Sequence, residues 1–202
     1  KREQWRKEIR AELGYTEDDF VYGFVGRITR DKGINELIEA YFSLETDAKL
    51  FLVGNIEDEQ TLDTTLLNQA RNDLRVQFHP AVMDIERYYA AIDVLLLPSY
   101  REGFGNVVIE AGAVGTPAIV SNIPGPIDTI DEGRTALTVA VKNITDLAEK
   151  LKEIREADYR SMGQNAAIFA KEKYNSEMLC EKILERKNYL LGRTDNEEGC
   201  CR

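Results

Sequence analysis

Short apolar runs alternate along most of the chain with segments whose apolar residues repeat at helical spacing. The plainest run, VLLL at residues 94–97, is continuously apolar, which is typical of a parallel strand buried on both faces. Three of the runs end at Gly26, Gly54 and Pro98, which are residues that terminate strands. The pattern predicts strands at residues 20–25, 49–53, 75–78, 93–97, 117–120 and 136–139.

Helical periodicity fills the segments between these runs. The second such segment places five apolar residues on one face: Ile34, Leu37, Ile38, Tyr41 and Phe42. By the same criterion we predict helices at residues 4–13, 34–42, 57–72, 85–92, 105–114, 144–154, 159–173 and 176–191. We predict one domain over residues 1–192, followed by a polar, disordered tail at 193–202.

Strands that alternate with helices predict an α/β fold with a mostly parallel sheet of about six strands and helices on both faces. The fold is therefore expected to be Rossmann-like and three-layered, followed by C-terminal helices. Ligands bind such sheets at the carboxyl ends of the strands. The loops to inspect for chemistry are those after Val25, Val53, Phe78, Leu97 and Val120.

Composition narrows the classes of partner. The 202 residues carry a net charge of −10, and an acidic surface excludes nucleic acid as the main partner because phosphate backbones require clustered cations. Cys180, Cys200 and Cys201 form no C-x-x-C pair, which indicates reduced thiols in a cytoplasmic protein. No signal peptide is visible, and no apolar run reaches the ~18 residues that span a bilayer. The chain opens without Met in the charged helical segment KREQWRKEIR, and we expect it to be part of a longer protein.

The loop VGRITRDKG, at residues 25–33, concentrates positive charge. Arg27, Arg30 and Lys32 lie within six positions, immediately before a predicted helix. Cations beside a helix N-terminus form a phosphate site, since charge and free backbone N–H groups act together. A solvated turn whose cations face water is the competing interpretation of this loop alone.

The segment SYREGFGNVVIEAGAVGTP, at residues 99–117, carries two carboxylates and two glycines before an apolar helix. Glu102 lies on the loop and Glu110 within the helix, with seven residues between them. Carboxylates accept paired hydrogen bonds from vicinal hydroxyls such as those of a sugar. A capped helix with one surface and one core-edge glutamate would explain the segment equally well.

Several other sites are excluded or weakly supported. G-F-G-N-V-V has Val108 where a dinucleotide fingerprint needs its third glycine, and no P-loop motif occurs. No paired Asp-x-Asp and no His/Cys cluster indicates a metal site, so we predict none. His79, the only histidine, is more often structural than catalytic in such a context. The segment IPGPIDTIDEG, at residues 123–133, predicts a rigid turn leading into a helix or a wall of the same cleft.

Taken together, these motifs resemble the donor-binding, C-terminal domain of glycosyltransferase family 4, in the GT-B superfamily. The resemblance covers roughly residues 5–190, and its most specific part is Glu102-x7-Glu110. It rests on VGRITRDKG, LFLVGN, FHPAV, LLLPSYREGFGNVVIEAGAVGTPAIVS, IPGPIDTI and EGRTALTV, which occur in the family's order. His79-Pro80 departs from the family, where a glycine is common at this point. The resemblance therefore does not assign the residues of the wall beside the base.

The resemblance implies a role for each matching residue. Arg27 and Lys32 match the pair that holds the donor diphosphate, and Glu102 matches the residue that meets the transferred sugar. Glu110 matches the residue that holds the ribose, and Val82 lies where the base is bracketed. The loop that faces the sugar and the distal phosphate comprises Gly103, Phe104, Gly105, Asn106 and Val107. Among these residues, the catalytic ones are expected to be Glu102, Arg27 and Lys32.

The implied activity is metal-independent, retaining transfer of a hexosyl unit from a nucleotide diphosphate sugar, a UDP-sugar in our interpretation, to a hydroxyl acceptor without a cofactor. IPGPIDTI suggests polysaccharide or lipid-linked glycan synthesis, with the full-length protein cytoplasmic or peripheral at the inner membrane face. The family's N-terminal acceptor domain is absent, so this chain alone is expected to be inactive. The alternatives are a nucleotide-sugar-binding scaffold without turnover and another GT-B enzyme, such as a phosphorylase or a sugar-phosphate synthase.

Overall fold

In the computed structural model, which describes residues 1–174, six strands form a single sheet in which every neighbouring pair is parallel. The strands are β1 (Val21–Val25), β2 (Lys49–Val53), β3 (Val76–His79), β4 (Val94–Leu97), β5 (Ala118–Ser121) and β6 (Ala136–Val139). Their order across the sheet is β3-β2-β1-β4-β5-β6. The predicted α/β fold and all six predicted strands are confirmed. The predicted helix at 176–191 and the tail at 193–202 lie outside the described residues.

Seven helices within residues 1–174 cover the two faces of the sheet. They are α1 (Arg2–Leu13), α2 (Ile34–Phe42), α3 (Thr64–Asn72), α4 (Ile85–Ala91), α5 (Asn106–Val114), α6 (Ile144–Glu156) and α7 (Tyr159–Tyr174). Alternate residues of β2 enter different cores: Leu50 and Leu52 pack with α2, α3 and α6, whereas Phe51 packs with α1, α4 and α5. The sheet is therefore the middle of three layers, and continuous apolar runs are what such burial requires. No helix in this part of the chain is long and apolar enough to cross a membrane.

The predicted helix over residues 57–72 is wrong in its first half. Asp58 has a positive φ of 52°, and a short 3₁₀ turn follows at Glu59–Thr61. The helix α3 begins only at Thr64, because the Asp63 side chain accepts hydrogen bonds from two backbone N–H groups of its first turn. The helix predicted after Pro124 is likewise reduced to a 3₁₀ turn at Pro126–Thr129.

A buried ion network fastens α1 to the amino ends of the strands. Asp93 lies just before β4. One of its carboxylate oxygens accepts a hydrogen bond from the guanidinium of Arg10 and the other accepts one from Arg6, both at 2.8 Å. The backbone N–H of Val21 donates to the same carboxylate at 2.8 Å. Arg10 is only 1% exposed and Asp93 only 4%. Because a buried charge is tolerated only when it is paired and hydrogen-bonded, these residues depend on one another.

The strand order places a topological switch between β1 and β4. From β1 the chain moves outward through β2 and β3, then returns to the centre and moves the other way through β4, β5 and β6. The loops after β1 and β4 consequently leave the sheet on opposite faces and open a crevice at its carboxyl edge. Open α/β sheets bind ligands in this crevice.

Candidate active site

A cleft with two chambers occupies this crevice. One chamber, of about 300 Å³, contains Glu110 and is called here the Glu110 chamber; the other, of about 350 Å³, contains Glu102 and is called the Glu102 chamber. The two share four lining residues: Val25, Gly26, Arg27 and Val107. A single elongated ligand can therefore extend from one chamber into the other past Arg27.

The predicted site residues all lie in this cleft. Val82 and Glu110 line the Glu110 chamber, and Arg27 and Val107 line both. The remaining predicted residues line the Glu102 chamber: Lys32, Glu102, Gly103, Phe104, Gly105 and Asn106. The structure thus gathers segments that are separated by up to about 80 positions in the sequence, while the role of each residue stays a prediction.

Two glycines let the ends of β1 and β2 come together at the floor of the cleft. Gly26 and Gly54 both have positive φ, 147° and 145°. A Cβ on Gly54 would lie 1.8 Å from the carbonyl oxygen of Gly26, so no side chain fits there. The backbone of both strands is consequently open to a ligand in the Glu110 chamber.

Arg27 forms an ion pair with Glu57, which also lines the Glu110 chamber. The distance from Nη1 to Oε2 is 3.1 Å, and the side chains are 58% and 45% exposed. The hydrogen bond from Arg27 to Glu57 raises the pKa of the arginine, which keeps it charged. Because the pair is solvated, it holds Arg27 weakly, and the guanidinium can turn to another anion.

Lys32 and Glu102 form a second ion pair inside the Glu102 chamber. Both side chains are largely buried, at 16% and 15% exposure. The Glu102 Oε1 that receives Lys32 also accepts a hydrogen bond from the buried Ser99 hydroxyl at 3.0 Å. The resemblance assigns Lys32 and Glu102 to different parts of a ligand, and the structure places the two side chains in direct contact.

Glu110 is held in a different way. Its Oε2 accepts a hydrogen bond of 2.9 Å from the hydroxyl of Tyr89, a residue of α4. Tyr89 is fully buried, and burial, together with the neighbouring Glu110 carboxylate, raises the pKa of its phenol, so the hydroxyl stays protonated and donates. The Tyr89 hydroxyl therefore acts as a fixed donor to Glu110 at the edge of a chamber whose walls are mostly apolar.

The first turn of α5 faces the Glu102 chamber. The helix begins at Asn106 after Gly105, whose φ is +83°, and no side chain caps it. Uncapped N–H groups at a helix start attract anions. A Cβ on Gly125 would lie 2.7 Å from the Gly103 carbonyl oxygen, so the segment after Ile123 supports this loop from behind instead of forming a wall of the cleft.

His79 is not among the residues that line either chamber in the described part of the chain. Its ring packs 5.1 Å from the ring of Tyr88, and its carbonyl oxygen accepts from the Gly54 N–H. Residues 1–174 also contain no group of three or more His, Cys, Asp and Glu side chains arranged to hold a metal ion. The prediction that the reaction needs no metal stays a prediction.

Comparison with known proteins decides the family. Residues 6–172 match the family described as Glycosyl transferases group 1. The chain belongs to this family. A curated relative of this group 1 glycosyltransferase chain is the capsular polysaccharide biosynthesis glycosyltransferase CapM of Staphylococcus aureus, with 33% identity over 89% of the chain and 49% of the relative. A D-inositol 3-phosphate glycosyltransferase of Arthrobacter is 32% identical, over 82% of the chain and 42% of the relative.

Solved structures give the same fold. The sucrose-phosphate synthase of Thermosynechococcus elongatus superposes with a TM-score of 0.78 at 30% identity, covering 92% of this chain and 49% of that one. The C-terminal domain of the group 1 protein LpcC from Francisella tularensis superposes with a TM-score of 0.73 at 21% identity, covering 87% and 94%. The chain thus has the fold of the C-terminal domain of GT-B glycosyltransferases, and it spans about half the length of the curated relatives it matches.

Several other residues of this group 1 glycosyltransferase cleft were not among those predicted from the sequence. Asn55 and Glu57 follow β2 and line the Glu110 chamber, and their place after a strand was the available signal. The Asn55 amide oxygen accepts from the Ala81 N–H at 3.3 Å, which ties the two loops of that chamber together. Tyr89 carried no signal, because it reads as an ordinary apolar residue of a helix. Ser99 likewise stands out only once its contact with Glu102 is seen.

Proposed function

We propose that this chain binds a nucleotide diphosphate sugar in the two-chamber cleft and forms the donor half of a retaining hexosyltransferase. The nucleoside occupies the Glu110 chamber and the sugar the Glu102 chamber. The observation that carries the proposal is the position of Arg27 in the wall common to both chambers. In a nucleotide sugar the diphosphate lies between nucleoside and sugar, so it passes this cation.

The charges of the cleft suit departure of a diphosphate. When the bond between the sugar and the diphosphate breaks, negative charge grows on the leaving oxygens. Arg27, Lys32 and the N-terminus of α5 surround that position with positive charge and N–H donors, and such preorganised groups stabilise developing charge. Glu102 lies beside Lys32 and is placed to accept from hydroxyls of the sugar, which fixes its orientation.

The relatives support a UDP-sugar donor and a glycan acceptor. Anabaena HepE, which shares the fold with a TM-score of 0.83 at 24% identity, has been solved in complex with UDP and with UDP-glucose. CapM is named for capsular polysaccharide biosynthesis. We therefore infer UDP as the nucleotide, an N-terminal domain outside this chain as the acceptor-binding half, and polysaccharide or lipid-linked glycan synthesis as the pathway.

A second candidate is synthesis of a sugar phosphate, because sucrose-phosphate synthase is 30% identical to the chain. It shares the proposed donor site and differs in its acceptor. Transfer by the full-length protein to a sugar phosphate, and not to a glycan or lipid-linked acceptor, would select it. A scaffold without turnover would bind the donor and transfer to neither.

The proposal is tested by calorimetric titration of the chain with UDP, UDP-glucose, uridine, GDP and ADP. We expect UDP and UDP-glucose to bind, and uridine to bind far more weakly because it lacks the charges that meet Arg27 and Lys32. Binding of GDP or ADP in place of UDP would correct the base and retain the reaction class. If no nucleoside diphosphate binds, the proposed function is wrong.

A further inference from the structure

Tyr89 connects the hydrophobic core to the cleft through a single hydroxyl. The residue has no exposed surface, and its ring is enclosed by α4, α5 and the sheet. Its carbonyl oxygen accepts from the Thr116 hydroxyl at 2.8 Å, and its own hydroxyl donates to Oε2 of Glu110 at 2.9 Å. Because backbone and ring are both fixed, the direction of this donor is fixed as well.

Glu110 has no other restraint in the described part of the chain. It is an exposed residue of α5 that forms no ion pair, and its Oε1 has no hydrogen-bond partner within residues 1–174. Glu102 differs, because its Oε1 is shared by Lys32 and Ser99. A free glutamate side chain loses rotamer entropy when a ligand immobilises it. The bond from Tyr89 removes part of that loss before any ligand arrives.

We propose that Tyr89 is a positioning residue for the nucleotide: it fixes one oxygen of Glu110 so that the other, Oε1, faces the chamber and accepts a ribose hydroxyl. This inference rests on the proposed function, which puts the ribose in the Glu110 chamber. Tyr89 acts through Glu110, so its effect depends on the ribose hydroxyls and not on the base or the diphosphate.

The test compares Tyr89→Phe with Tyr88→Phe, each titrated calorimetrically with UDP and with 2′,3′-dideoxyuridine 5′-diphosphate. Tyr88 is the matched control: it is the adjacent buried residue of α4, its ring stacks on Phe51, and its hydroxyl forms no hydrogen bond within residues 1–174. We expect Tyr89→Phe to weaken the binding of UDP roughly three- to tenfold, because the ligand must then immobilise a glutamate side chain that Tyr89 no longer holds, and to leave the binding of the dideoxy analogue unchanged. Tyr88→Phe should change the affinity for neither ligand.

A second measurement separates positioning from a general loss of structure. In a Glu110→Ala background, the further change Tyr89→Phe should not alter the affinity for UDP, because the residue through which Tyr89 acts is gone. Equal weakening of UDP and of the dideoxy analogue by Tyr89→Phe overturns the inference, as does an undiminished effect in the Glu110→Ala background. If the unaltered chain binds UDP but Tyr89→Phe has no effect, the inference fails alone; if the chain binds no nucleoside diphosphate, the proposed function fails with it.

Discussion

Lys32 and Glu102 form a largely buried ion pair, although they come from the loops after two different strands. In the proposed reaction, one is expected to meet the diphosphate and the other the sugar. Because they are in contact, each side chain neutralises the charge of the other. We therefore expect binding of the proposed donor to exchange these partners, so that Lys32 gains phosphate oxygens and Glu102 gains hydroxyl donors.

This exchange predicts the effect of Glu102→Gln on free UDP. The variant removes the charge that competes with the diphosphate for Lys32, so we expect UDP to bind about three- to tenfold more tightly, which corresponds to on the order of 1 kcal/mol. The affinity for UDP-glucose should rise less, because the hydroxyls of its sugar lose a carboxylate oxygen as hydrogen-bond acceptor. Ser99→Ala, which removes only the neutral donor to the same oxygen, is the control. Weaker binding of UDP by Glu102→Gln, measured by titration calorimetry, would contradict the exchange.

Arg27 should matter to the diphosphate alone. We expect Arg27→Ala to weaken the binding of UDP by roughly 10- to 100-fold, since charge-assisted hydrogen bonds contribute about 1.5–3 kcal/mol. The affinity for uridine should be nearly unchanged. Arg71→Ala is a matched control, because Arg71 is an exposed arginine paired with Glu59 outside the cleft. Equal losses for uridine and UDP in a calorimetric titration would show that Arg27 does not meet the phosphates.

Asp93 is expected to be the most sensitive charged residue for stability. Asp93→Ala leaves Arg10 buried without its partner, so the free energy of unfolding should fall by about 3–5 kcal/mol. Asp47→Ala breaks an exposed pair with Arg155 and should cost no more than about 1 kcal/mol. Urea denaturation of the two variants measures the difference. Similar midpoints would mean that the buried network does not fasten α1 to the sheet.

The sheet and the cleft could be predicted from the sequence because both depend on local patterns. Each strand is a mostly apolar run, and each predicted site residue lies on the loop after a strand or in the first two turns of the helix that follows. The α-helical structure predicted at residues 57–63 is absent because Asp63, six positions after the predicted start, caps the start of α3 with its side chain. Position in the sequence alone does not reveal which side chains meet, so the contacts of Glu102 with Lys32 and of Glu110 with Tyr89 required the fold.

The two chambers differ in how they are encoded. The Glu102 chamber owes most of its lining to one uninterrupted stretch, residues 102–107, whereas the Glu110 chamber collects its lining from loops after three strands and from two helices. Exchanging residues 102–106 for those of another family member would therefore rebuild the first chamber without altering a lining residue of the second. Residues 102–106 thus form a segment that can be replaced as a unit, in evolution or by a protein engineer, while the lining of the Glu110 chamber keeps its sequence.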